Sequence, residues 1–169
     1  MTLPALDDDL VDFGDIPAPI NALLQEGVYW HPADPARARA CFRSAIDLAP
    51  DVLPSYRCLF KAHNKQRDFA AAYAVALEGL GRAAMQAGMS PDWSTWTRPA
   101  LAAAPTVPVR FLLHSLKAVA FIELRRGHES ASRAALAHLQ ALDPEDGVGA
   151  SVIAALLDRI AGIADDPLG

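Results

Sequence analysis

The strongest constraint on this chain is a spacing. Residues 21–50, 53–87 and 113–144 each hold two Ala-rich amphipathic runs separated by a short break. Apolar residues within the runs recur three and four apart, the period of one helix face. β-branched residues are scarce and no run alternates with period two over a useful length, which argues against sheet. Helix pairs recurring at about thirty residues mark a helical repeat, in which each unit buries its apolar face against its neighbours.

Punctuation sets the predicted ends. Ile20, Leu23, Leu24, Val28 and Tyr29 share a face over residues 20–31. His31–Pro32 ends that helix, because the residue before proline avoids the α region. Asp34 then caps a second helix with Pro35 at its first position. Ala38, Cys41, Phe42, Ala45 and Ile46 lie along one side, and Pro50 stops it. Pro54 opens a third helix. Asp68 caps a fourth, which runs to Ala87 with Gly88 as its C′ residue. Gly79 and Gly81 weaken it by roughly 1 kcal/mol each relative to Ala, which is reasonable where another helix crosses closely.

Residues 88–108 break this rhythm with four prolines, Trp93 and Trp96. An insertion of that length is uncommon without structure or function of its own. Ser90–Pro91–Asp92 is a helix-start signal, and Pro99 opens a second short turn. Residues 109–126 are apolar on most sides and predict the most buried helix. Helices over 129–142 and 148–163 follow, the first ended by Asp143–Pro144. Residues 1–18 read as a weakly ordered acidic arm, 19–163 as one helical domain, and 164–169 as a frayed tail.

Charge is segregated. Asp7, Asp8, Asp9, Asp12 and Asp15 account for the whole formal net charge of −5, so the rest of the chain is neutral. A nucleic-acid interface needs an excess of Lys and Arg, and none is expected here. Cys41 and Cys58 form no CxxC motif, which points to free thiols in a reducing compartment rather than a disulfide framework or metal site. The acidic N-terminus is not a signal peptide. No uncharged apolar stretch reaches the roughly 18 residues of a membrane span. The cytoplasm is the expected location.

Signals for catalysis fail one by one. His128–Glu129 lacks the second His of HExxH, and no Glu-x-x-His pair exists. The GLGRAA run at residues 79–84 lies inside a helix with no strand before it, unlike a dinucleotide loop. Cys58 and His63 are poorly placed as nucleophile and base, and the five histidines show no ligand spacing. The sequence therefore predicts no catalytic residue, no metal and no cofactor, hence not an enzyme.

The residues resemble the tetratricopeptide repeat, a helix–turn–helix with small and aromatic residues at set places. With Pro50 at the closing proline, Tyr29, Ala38, Phe42 and Ala45 fall on its aromatic, small, aromatic and small positions. In the second unit Tyr56 and Leu59 take the first large positions, Asp68–Phe69 the turn, and Ala72 and Gly79 the small positions; Ala76 replaces an aromatic. In the third, Leu116 and Val119–Ala120 match the first helix, Gly127 the turn, Leu136 a large position and Pro144 the close. Ser132 and Leu139 depart from the expected small residues, and the insertion departs from a continuous array. The resemblance covers residues 19–146. It implies an all-α, right-handed superhelix of antiparallel helix pairs, about three units, closed by a C-terminal capping helix.

It also implies that the first helix of each pair lines a concave groove. On that basis Arg57, Lys61, Asn64, Lys65, His114, Lys117, Phe121 and Arg125 are candidate partner-binding residues. The chain's three lysines all map there. Lys, Arg and Asn suit carboxylates through charge-assisted hydrogen bonds. The bland alternative is that these are solvated helix faces. A further alternative is that the chain's own aspartate arm occupies the groove. Trp93 and Trp96 are candidates for a second contact surface, with the alternative that both rings pack inward to fix the insertion. The expected function is a non-enzymatic adaptor or assembly factor, monomeric or homodimeric, binding a partner protein or acidic peptide and neither nucleic acid nor membrane. The alternatives are a chaperone for a secreted or complex subunit, or an accessory subunit of an enzyme complex.

Overall fold

Helix starts follow the caps. A computed structural model of the chain describes residues 10–165, and among them it has eight α-helices and no strand. Helix α1 is Ala18–Trp30 and α2 is Pro35–Leu48. Asp34 accepts the Arg37 backbone N–H at 3.1 Å, satisfying one of the donors a helix leaves open at its start. Helix α3 is Pro54–Lys65 and α4 is Phe69–Ala87, the latter capped by Asp68 on Ala71 N–H at 3.2 Å. Gly88 closes α4 in the left-handed region at φ +68°, as a C′ glycine does. Helices α5 (Arg98–Ala103), α6 (Thr106–Arg125), α7 (Glu129–Leu142) and α8 (Ser151–Asp165) complete the described chain.

Two of the hairpins are built alike. In the α3–α4 turn Gln66 and Asp68 N–H donate to the Ala62 and His63 carbonyls; in the α6–α7 turn Arg126 and His128 N–H donate to those of Ile122 and Glu123. Arg67 and Gly127 hold the same left-handed place in the two turns, at φ +59° and +80°. The helices pack on sequential neighbours: α1 on α2, α2 on α3, α3 on α4, α4 on α6, and α6 on α7, with α8 against both α6 and α7. Buried residues form two apolar clusters. One, around Leu24, Phe42, Tyr56 and Leu59, joins α1 to α4. The other, around Leu80, Leu112, Leu116 and Ile153, joins α4, α6, α7 and α8. Among the described residues no helix is long and apolar enough to cross a membrane.

The insertion is shorter than its prolines suggest. Helix α6 starts at Thr106, before Pro108, because a first-turn residue has no helical partner for an N–H and tolerates its loss. The rest folds as a 3₁₀ turn at Trp93–Thr95 followed by α5. It leaves α6 packed directly on α4, so residues 88–108 do not separate the second hairpin from the third. Close approach is visible at Gly79, where an added Cβ would lie 2.8 Å from Tyr56 Cβ. Gly81 faces open space, so the expectation of a crossing helix holds for Gly79 alone. In α1 the residue against Phe42 is Gly27, and Tyr29 is half exposed. The alignment that put Tyr29 on a packed aromatic position is therefore displaced there.

Candidate functional site

The first helices of the second and third hairpins, α3 and α6, converge on a cleft of about 350 Å³. Helix α6 gives the floor, with Phe111, Ala118 and Phe121 on one face. Tyr56 and Phe60 of α3 form one wall, and Val152, Ile153 and Leu156 of α8 form the other. Gly79 of α4 closes the end where Tyr56 and Phe111 meet. The lining is mainly apolar, with Arg57, Lys61 and Lys117 as its cationic side chains and His114 as its imidazole.

Of the candidates read from the sequence, the cleft gathers Arg57, Lys61, His114, Lys117 and Phe121. Arg57 and Lys61 are exposed and stand one turn apart on α3, as i and i+4 residues must. No carboxylate among the described residues lies within ion-pair distance of either. Lys117 differs. Its ammonium donates to the Val148 carbonyl at 2.8 Å, so its charge pins the loop before α8 while its stem lines the cleft. His114 is held below the usual imidazole range by burial first, then by Arg57, Lys117 and Arg110, with Asp143 opposing. Burial and the three neighbouring cations thus disfavour its protonated form.

Three candidates fall elsewhere. Lys65 lines a second pocket, of about 370 Å³, with Cys58, His31 and Val28. Arg125 turns away from the cleft, with its guanidinium 5.1 Å from the centre of the Phe69 ring. Asn64 is half-buried and lines neither pocket. Lys61 lines both pockets.

The two tryptophans differ in exposure, Trp96 being buried and Trp93 half-buried. Trp96 is 3% exposed, and its indole N–H donates to the Ser90 carbonyl at 2.7 Å. His138 reaches the Trp96 carbonyl at 3.1 Å and stacks obliquely on Trp93, ring centres 5.5 Å apart. Trp96 anchors the insertion to the core, and Trp93, half-buried, covers it. Trp30 carries the Arg37 guanidinium 3.9 Å above its ring.

The arm also has a place in the described structure from residue 10 onward; Asp7, Asp8 and Asp9 lie outside the described residues. The Gln25 carboxamide accepts the Val11 N–H at 3.2 Å and donates to the Val11 carbonyl at 2.7 Å. Asn21 steadies that amide at 3.1 Å. Val11 and Phe13 then line the second pocket, across from Lys61 and Lys65. From residue 10 onward the arm therefore borders the cationic face at the second pocket, and none of its described residues lines the cleft, a position no helical period could have indicated. Cys41 and Cys58 are free and half-buried, and burial pushes the Cys58 thiol up to about 11.

α8 is the part of the site that sequence reasoning missed. It read as a cap, yet it supplies one wall. The available signal was its breadth: Val152, Ile153, Leu156, Leu157 and Ile160 cover an arc wider than one neighbour can bury. Comparison with family models, with curated proteins and with solved structures finds no match for the chain.

Proposed function

We propose that the chain is a protein-interaction module with tetratricopeptide-like architecture. Its cleft between α3, α6 and α8 takes a partner segment that carries both an apolar anchor and a carboxylate. The observation behind this reading is the pairing of an apolar cleft of about 350 Å³ with two rim cations, Arg57 and Lys61, that have no described acidic partner. Apolar surface rimmed by polar groups suits recognition, and carboxylate is the natural counterpart of guanidinium and ammonium. The like turns of the α3–α4 and α6–α7 hairpins, with Ala72 and Ser132 fully buried at the fourth residue of α4 and of α7, support the repeat architecture.

A panel of synthetic peptides of defined sequence tests the reading. Peptides pairing Leu or Phe with Asp or Glu are expected to bind, and their all-Lys counterparts are not. Reversing Arg57, Lys61 and Lys65 to Glu is expected to weaken capture about tenfold, because each exposed cation then repels the ligand. Capture equal to the unaltered protein removes the cationic rim as the site.

A further inference from the structure

The cleft has a shape and a polarity that select among possible occupants. Its floor follows α6 from Phe111 to Phe121, about 15 Å along the helix axis. Its walls are helices whose backbone groups are satisfied internally, and no Asn or Gln lines it. An extended strand laid there would leave its own N–H and C=O groups unpaired against apolar side chains, which is costly. The chain itself shows what a non-helical segment needs. At Val11, outside any helix, the Gln25 carboxamide pairs both backbone groups. The cleft offers no such amide. A helix satisfies its own backbone and needs only side-chain complementarity.

α8 supplies the second observation. Ile153 and Leu157 are buried against the body at 1% exposure each. The other edge of the same apolar arc is open: Val152 is 60% exposed, Leu156 is half-buried, and Ile160, one turn further, is 42% exposed. One side of α8 is covered, and its other edge, which brings Val152 and Leu156 to the cleft, is not.

Resting on the reading of the cleft as an interaction site, we infer that its occupant is an amphipathic α-helix of a partner protein, seated between α3 and α8. Its apolar residues, three and four apart, enter between Phe60, Phe121 and Leu156. Its carboxylates lie along the edge facing α3, four residues apart, to match Arg57 and Lys61. Charge complementarity fixes which edge is acidic, since the α8 wall is apolar and the α3 rim is cationic.

The test uses the full chain and a designed peptide of about 16 residues, fluorescently labelled and read by anisotropy. The peptide has Leu at i, i+4 and i+7 and Glu on the adjoining edge at four-residue spacing. Three relatives accompany it: one of the same composition with the Leu residues dispersed around the helix, one with Lys for Glu, and one with two prolines that prevent helix. Only the parent is expected to bind. Val152→Asp and Leu156→Asp are each expected to weaken it about tenfold, while Leu48→Asp, on α2 and away from the cleft, leaves it unchanged. Circular dichroism confirms that α8 stays folded; Val152 is exposed enough to be changed without a folding cost even if Leu156 is not. Equal binding by the proline or dispersed peptide overturns the helical occupant, as does indifference to both α8 changes. If the proline peptide binds and the α3 reversals abolish it, the interaction-module reading survives and the helix does not. Concentration-dependent dimerisation in sedimentation velocity, lost in Val152→Asp, overturns it in favour of a second copy of the chain.

Discussion

Two glycines two positions apart on α4 have opposite roles. At Gly79 an added Cβ lies 2.8 Å from Tyr56 Cβ and 3.4 Å from Phe111. Tyr56 cannot yield easily, because it is 2% exposed and its hydroxyl donates to the Pro50 carbonyl at 2.6 Å. The overlap, at about 1–3 kcal/mol for overpacking, outweighs the roughly 1 kcal/mol that Ala gains over Gly in helix propensity. At Gly81 nothing lies within 4 Å, so only the propensity gain remains. Urea unfolding is expected to show Gly79→Ala destabilised by about 1 kcal/mol and Gly81→Ala stabilised by about the same. Equal shifts in one direction refute the close α3–α4 crossing. The sequence marked both glycines but could not separate them, since the difference lies in a neighbour twenty-three residues away in the chain rather than in the helix itself. Glu123 was equally hidden. It sits near the end of α6, 6% exposed, and is held by Arg126 at 3.0 Å and His128 at 2.9 Å. A buried carboxylate gives no periodic signal, whereas its neighbours Leu116 and Val119 do.

Elements were legible where local chemistry decides them. Asp34, Asp68 and Gly88 mark helix ends through hydrogen bonds a few residues away, and each acts where the sequence places it. The start of α6 was not legible, because Pro108 is a breaker in a helix interior and harmless in a first turn. The position of α8 was less legible still, since it depends on a contact from another helix. Lys117 on α6 donates to the Val148 carbonyl, and Asp143 accepts the Val148 N–H at 3.0 Å. Val148, three residues before α8, is thus gripped on both backbone groups by side chains of the α6–α7 hairpin region. Lys117→Met keeps the apolar stem and removes the ammonium. Amide exchange of residues 147–157 is expected to accelerate about tenfold, with α1–α4 unchanged, because α8 then opens as a local unit. Unaltered exchange in α8 returns Lys117 to the set of partner-facing cations.

At the scale of the whole molecule the decisive feature is that charge is divided between arm and body. All five arm aspartates precede residue 16, while Arg57, Lys61 and Lys65 stand on one helix without described acidic partners. The Gln25 amide and Phe13 bring the described part of the arm to the border of that helix, where Lys61 lines both the second pocket and the cleft. Composition revealed the division, but the docking of the arm rests on a carboxamide–backbone pair that no sequence period encodes. A negative arm held at the rim of a cationic site lowers the local potential that an acidic ligand meets. Changing Asp7, Asp8, Asp9, Asp12 and Asp15 together to Asn keeps the arm's length and the Phe13 contact while removing its charge. Affinity for the acidic helical peptide is then expected to rise about threefold at roughly 0.02 M salt and to converge with the unaltered protein near 0.5 M, where screening confines charges to a few ångströms. The sign separates this from a structural role: an arm that merely braces α1 would leave affinity the same or lower it. A rise that persists at high salt would instead place the effect in contact or occlusion, and no rise at either salt would show that the aspartates do not reach the site.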